Sequence, residues 1–334
     1  MDDLRVSLPA GGRDLTIVDG VDYRVEPGEV FGVAGESGSG KTVSMLALLG
    51  LLPEGARVGG SVRFDGRELL RMPRRRLREI AGRDVAMVFQ DPFTSLHPML
   101  SIGKQLTEHV RRHLGLDRRR AEERALELLR EVRIPDGRAA MRAYPHQFSG
   151  GMRQRIAIAV ALACRPKLLI ADEPTTALDV TVQAGILHLL DRLRRENELA
   201  IVLITHDLGV MSAVADRVSI FYAGRVVESG PRADVLRAPR HPYTRALLEA
   251  LPHPEAARDQ PLVAIAGAPP SPGAIPAGCA FHPRCAFAVE SCAREVPPLV
   301  PVAGDRRLAC PVDPFAHAEP GSSKTNQVRE FPDV

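Results

Sequence analysis

The sequence predicts an α/β fold with a mainly parallel sheet, and three observations carry that prediction. The glycine-rich stretch Gly35-Glu36-Ser37-Gly38-Ser39-Gly40-Lys41-Thr42 stands between a short apolar strand and an apolar helix. Strand-like and helix-like segments alternate over residues 149–229, the pattern of parallel strands joined by crossover helices. The apolar strand Leu168-Leu169-Ile170-Ala171 runs into two acids, Asp172-Glu173, which places carboxylates at the strand edge where parallel sheets bind ligands.

Each element follows from local pattern. Residues 4–8 and 15–25 read as strands joined by a Gly11-Gly12 turn. Val30-Phe31-Gly32-Val33-Ala34 reads as a buried strand, and residues 43–52 as the helix after the glycine loop. Residues 60–66 add a strand ending in Asp65-Gly66, so a small antiparallel sheet is expected beside the main one. Over residues 102–132 the period is helical, with Leu106, Val110, Leu114, Leu126, Leu129 and Val132 on the apolar side, an insertion spanning about residues 91–165. There follow a helix from Ser149 through Ala163, a strand at 168–171, a helix at 182–196, a strand at 200–205, a helix at 208–215 and strands at 218–222 and 225–229. After Pro239 the composition changes: four of the five cysteines, with many prolines and glycines, fall between Pro252 and Pro314. The expected organisation is a main domain over 1–239, a loop-rich Cys-rich region over 240–315, and a polar, disordered tail over 316–334.

Composition excludes several classes. The 44 basic and 41 acidic residues nearly balance at +3, so nothing argues for a nucleic-acid surface. The arginine runs at 71–78 and 118–124 read as solvated helix faces. Only four basic residues are lysines, which singles out Lys41. The longest apolar run, Ile156 to Cys164, falls far short of the roughly 18 residues a spanning helix needs. The start Met1-Asp2-Asp3 lacks the regions of a signal peptide, so the cytosol is expected, with cysteines reduced or metal-bound. Cys164, ending an apolar helix, is expected in the core.

The chemistry gathers at a few motifs. Residues 35–42 fit a phosphate loop: glycines let backbone amides converge on phosphate oxygens, Lys41 supplies positive charge, and Thr42 offers a hydroxyl to Mg²⁺. Asp172 is expected to hold Mg²⁺, and Glu173, one residue on, to polarise an attacking water as general base. His206 follows a strand and can reach a γ-phosphate; Gln90, after Val88-Phe89, can ligate Mg²⁺ or orient water. Ser149-Gly150-Gly151-Met152 opens a helix with a hydroxyl and bare amides, a second anion site. Taken alone, that element is equally a flexible turn with a serine cap.

In combination these motifs stand in the order and spacing of an ABC-transporter ATPase domain: phosphate loop, Gln90, Phe148-Ser149-Gly150-Gly151-Met152, Asp172-Glu173, Ala177-Leu178-Asp179 and His206. The resemblance implies a P-loop NTPase (RecA-like) core with an antiparallel β subdomain and a helical ABC subdomain. It also implies that the Ser149 element closes on the γ-phosphate held by another subunit, which accounts for two anion sites in one chain. A narrower resemblance covers nearly the whole chain. Gln90-Asp91-Pro92-Phe93-Thr94-Ser95-Leu96-His97-Pro98, Tyr144-Pro145-His146-Gln147, His241-Pro242-Tyr243-Thr244 and Gly278-Cys279-Ala280-Phe281-His282-Pro283-Arg284-Cys285 are similar to the oligopeptide/dipeptide importer ATPases, a family that includes nickel importers. That implies ATP and Mg²⁺ as ligands and two membrane permease subunits as partners. It further implies a second, related ATPase subunit, an extracytoplasmic solute-binding protein, and a peripheral place on the cytoplasmic face of the cell membrane.

Two features stand apart. Where the family usually places an aromatic that stacks on adenine, this chain carries Leu8. Cys279, Cys285, Cys292 and Cys310 lack the spacing of common zinc ribbons; four thiolates suit Zn²⁺ or an iron–sulfur cluster, and the resemblance extends to family members carrying [4Fe–4S]. Competing readings are a soluble ABC ATPase of DNA repair or translation, and a catalytically weak partner subunit. The first would carry a coiled-coil insertion or tandem units; the second conflicts with Glu173, His206 and Ser149 all being present.

Overall fold

The computed structural model describes residues 1–91, 95–176, 178–251 and 264–316. Pro92, Phe93, Thr94, Ala177 and the tail expected to be disordered from 317 onward lie outside the described residues. The chain forms two compact units, one of Met1–Arg24, Phe31–Arg71 and Thr205–Val334, the other of Val25–Val30 and Met72–Ile204.

The first unit carries an antiparallel sheet in the order Arg13–Val21, Asp2–Ala10, Arg57–Ser61. Its hairpin closes at Gly11-Gly12 with Ala10 opposite Arg13, as the alternation predicts. Leu4 and Val6 and their cross-strand partners Val21 and Val18 are fully buried, each contributing about 1.5–3 kcal/mol. A second sheet in this unit runs Val300–Ala303, Arg306–Leu308, Arg225–Pro231, Arg217–Tyr222, Val30–Ala34. Only its last pair is parallel, Phe31 to Ala34 beside Arg217 to Ile220; the others are antiparallel. The strands of this unit therefore form a mixed sheet: Val30–Ala34 and Arg217–Tyr222 pair in parallel as expected, and the strands after them are antiparallel. The hairpin at Ala223-Gly224 reverses the chain too tightly for a crossover helix, and the Cys-rich segment then adds its own strands to that edge.

The second unit holds three parallel strands, Val85–Val88, Leu168–Asp172 and Ala200–Ile204, in register Val85 to Leu168 to Ala200. All residues of the last two are buried, as expected for strands covered on both faces. The expected long helical stretch is broken into Ile102–Leu114 and Arg118–Glu131, followed by Gly137–Arg142. Gly115 ends the first in the left-handed region, and the Asp117 carboxylate restarts the second by accepting from the Arg120 amide at 2.9 Å. The restart shifts the apolar phase: Leu106, Val110, Leu129 and Val132 are fully buried, but Leu114 is 41% exposed and Leu128 takes the inward place expected of Leu126. Among the described residues no helix is long and apolar enough to cross a membrane.

Candidate functional site

In the first unit the phosphate loop leaves the strand Val30–Ala34 and enters the helix Lys41–Leu49. Gly40 caps that helix at φ +101°, and a β-carbon there would sit 2.7 Å from the Ile17 carbonyl oxygen, so only glycine closes the turn. The Lys41 side chain is buried and curls back over the loop, its Nζ donating to the carbonyls of Gly35 at 2.8 Å and Glu36 at 2.9 Å. Ser37 and Gly38 are exposed, Thr42 half-buried. His206 is exposed just beyond Thr205, whose amide donates to the Val33 carbonyl at 3.2 Å, which sets Thr205 beside the strand that bears the loop. Asp207 caps the next helix, Leu208–Val214, through the amides of Gly209 and Val210.

Sequence reading missed what grips Glu36. Arg284, from the Cys-rich segment, meets its carboxylate with both terminal nitrogens at 2.8 and 3.2 Å. The Glu36 amide donates to the Tyr243 hydroxyl at 2.9 Å. Tyr222, Tyr243 and Phe281 form a triangle of rings with centroids 4.5 to 5.3 Å apart beside this pair. Burial opposes the charge on Arg284, but hydrogen bonds to Glu36 and Tyr222 outweigh it and hold the guanidinium protonated. Burial likewise raises the Tyr243 phenol above its ordinary range, so its hydroxyl stays neutral and accepts. The repeated Tyr and Phe of the motifs around 243 and 281 were the available signal.

The second unit brings Gln90 and Glu173 together. Gln90 Nε2 donates to Glu173 Oε2 at 2.8 Å, and the same oxygen accepts from the Thr176 hydroxyl at 2.9 Å. Thr176 was not anticipated; a hydroxyl three residues along a turn is its only sequence signal. Glu173 sits at φ +47°, a left-handed conformation costing about 1–2 kcal/mol for a residue with a β-carbon. Its amide donates to Ile204 at 2.8 Å, which holds it there. Asp172, 4% exposed, ends the buried strand.

Ser149 is exposed and caps Gly150–Ala161, its hydroxyl accepting from the Met152 amide at 3.3 Å. A β-carbon on Gly151 would lie 2.5 Å from Val182, so this glycine lets the helix approach Val180–Asn197 closely. Asp179 caps that second helix through Val182 at 2.9 Å.

The four clustered cysteines lie in the first unit and line one cavity with His241 and Phe281. All are free thiols, as is the buried core residue Cys164, whose pKa burial raises to about 11. Burial raises Cys279, Cys285 and Cys310, and the neighbouring thiols reinforce the shift. Among the described residues no group of three or more His, Cys, Asp or Glu is placed to hold a metal ion. Beside the cavity, Glu228 is fully buried, pairs with the Arg306 guanidinium and accepts from the amides of Arg240 at 3.0 Å and His241 at 3.1 Å. The His241 imidazole is itself buried, accepts from the Tyr243 amide at 3.0 Å, and is pushed by burial to a pKa of about 3. An unfolded histidine titrates near about 6.5, so between the two values the unfolded chain binds more protons. Stability present above about pH 6.5 is therefore lost as pH falls toward about 3. Thermal unfolding followed across this window should show a falling midpoint that His241→Gln flattens; equal slopes would contradict it.

Comparison with known proteins agrees with these motifs. A family model described as ABC transporter matches residues 18–176, and one described as the oligopeptide/dipeptide transporter C-terminal region matches 227–292. An AAA-domain model overlaps 142–212. The oligopeptide transport ATP-binding protein OppD of Salmonella typhimurium is 47% identical over 93% of this chain and 92% of its own. The dipeptide transport ATP-binding protein DppD of Haemophilus influenzae is 47% identical over 88% of each chain. A solved dimeric ATP-binding cassette in a post-hydrolysis state, bound to ADP and Pi, matches with a TM-score of 0.61 at 26% identity, over 69% of this chain and 97% of that one. The similarity runs from the phosphate loop through the Cys-rich segment, and the chain belongs to the ATP-binding proteins of the oligopeptide/dipeptide ABC transporter family.

Proposed function

We propose that this chain is the ATP-hydrolysing subunit of an importer that takes up di- and oligopeptides, working from the cytoplasmic face of the cell membrane beneath two permease subunits. The observation that supports it most is similarity to peptide-transport ATP-binding proteins over 93% of the chain, including the Cys-rich segment that a generic cassette lacks. Residues 35–42 bind the phosphates, with Lys41 as the counter-charge. Thr42, Gln90 and Asp172 offer the hard oxygens Mg²⁺ prefers, and the ion, when bound, neutralises phosphate charge. Glu173, its carboxylate steadied by Gln90 and Thr176, polarises the attacking water. His206 contacts the γ-phosphate. Ser149, Gly150, Gly151 and Met152 serve in trans, on nucleotide held by a second ATPase subunit. Substrate selection belongs to the permeases and an extracytoplasmic binding protein. With those partners in proteoliposomes, ATP should drive uptake of a labelled tripeptide; uptake of nickel but not peptide would overturn the peptide assignment.

For the cysteines we propose a [4Fe–4S] cluster, with Zn²⁺ as the alternative. A [4Fe–4S] cluster takes one thiolate per iron corner, so its ligands surround a cavity instead of converging on one ion. The lining of one cavity by all four thiols is what supports this reading. Protein purified without oxygen should carry iron and acid-labile sulfide, lost in Cys285→Ser. Zinc alone, or no metal, would reject the cluster.

A further inference from the structure

Glu36 stands second in a loop that must receive a polyanion, and its carboxylate is a charge of the wrong sign for that place. A like charge near a phosphate disfavours binding, unless it is neutralised. Arg284 supplies the neutralisation from 248 residues away: its side chain is 5% exposed, and it meets Glu36 in a two-pronged pair at 2.8 and 3.2 Å. Arg284 is itself held, donating through Nε to the Ala266 carbonyl at 2.8 Å and through Nη1 to the Tyr222 hydroxyl at 3.2 Å. Its guanidinium lies 5.8 Å from the centre of the Phe281 ring.

The backbone of Glu36 is fixed at the same time. Its amide donates to the buried Tyr243 hydroxyl, and its carbonyl accepts from Lys41 Nζ. One residue is thus gripped by its carboxylate, its amide and its carbonyl, the first two from the C-terminal segment. We infer that Arg284 is a positioning residue for the phosphate loop: by pairing with Glu36 it removes a repulsive charge and holds the loop ready for nucleotide, so the Cys-rich segment sets nucleotide affinity. The inference rests on the nucleotide-binding role proposed for residues 35–42. Tyr243 completes the grip and does not touch nucleotide.

The test is calorimetric titration of the full chain with MgATP. Arg284→Ala should raise the Kd about tenfold or more, equivalent to about 1.4 kcal/mol per factor of ten. Combining it with Glu36→Gln should bring the Kd back to within about threefold of wild type, because the unpaired carboxylate is gone. The double variant lacks the same arginine, so recovery separates loss of charge balance from collapse of the segment. Unchanged affinity in Arg284→Ala would overturn the inference, and so would a double variant as weak as the single one. Lys41→Ala distinguishes the underlying reading: if it binds MgATP as wild type does while Arg284 is intact, the loop is not the nucleotide site and the inference falls with it.

Discussion

Glu173→Gln is expected to lower ATP turnover by about 10²- to 10⁴-fold, the range over which a positioned general base contributes, while MgATP binding persists. The substitution keeps shape and removes basicity. The Thr176 hydroxyl can still donate to the amide oxygen that replaces Oε2, and the backbone bond from residue 173 to Ile204 is untouched. The strained φ of +47° is held by that surrounding structure, so the fold should survive. With hydrolysis blocked, ATP should hold two such subunits together, visible as a nucleotide-dependent shift on size exclusion. Steady-state turnover at the wild-type rate would remove Glu173 as the base. Thr176→Val offers a graded companion: it withdraws one donor from the same oxygen and should reduce turnover without changing nucleotide affinity.

Ser149→Arg separates binding in cis from closure in trans. Ser149 is exposed, and its structural contribution is one cap bond of 3.3 Å to the Met152 amide. Losing such a cap costs about 1 kcal/mol, too little to unfold a helix whose Ile156, Ile158 and Ala159 are fully buried. The isolated chain should therefore bind MgATP within about threefold of wild type, since its own phosphate loop is unchanged. An arginine would put bulk where a partner's phosphates must seat and remove the hydroxyl that donates to them. Nucleotide-dependent dimerisation should vanish and turnover should fall by about 100-fold or more, the scale of removing a preorganised anion contact. Loss of MgATP binding in a folded variant would mean that Ser149 serves its own chain's nucleotide.

The elements that were legible in sequence are those whose cause is local. A glycine loop between strand and helix, an apolar strand ending in acids, and a serine opening a helix each declare themselves within about ten residues. Gly11-Gly12 closed its hairpin as read, and Leu168–Asp172 formed its buried strand. What escaped was set by partners distant in sequence. Arg284 reaches Glu36 across 248 residues, and Arg306 reaches Glu228 across 78. No periodicity encodes such pairs. The antiparallel edge escaped for a similar reason, since apolar alternation marks a strand without fixing its direction, and Arg306–Leu308 lies in a stretch whose prolines and glycines predict loop. The phase break at Gly115 was missed because a single glycine in a helical pattern is usually tolerated.

The buried pair of Glu228 and Arg306 bears on how this architecture could diversify. Removing one member of such a pair leaves an uncompensated charge in a dry interior, a loss of about 3–5 kcal/mol. The strand Arg306–Leu308 also covers the edge of Arg225–Pro231, and without it a row of backbone groups would lie open to another chain. A chimera that grafts the first 239 residues onto a different C-terminus would inherit a buried acid and a sticky edge together. The Cys-rich segment is thus no interchangeable module: exchange between relatives should succeed only when the acid, its arginine and the edge strand travel as one block.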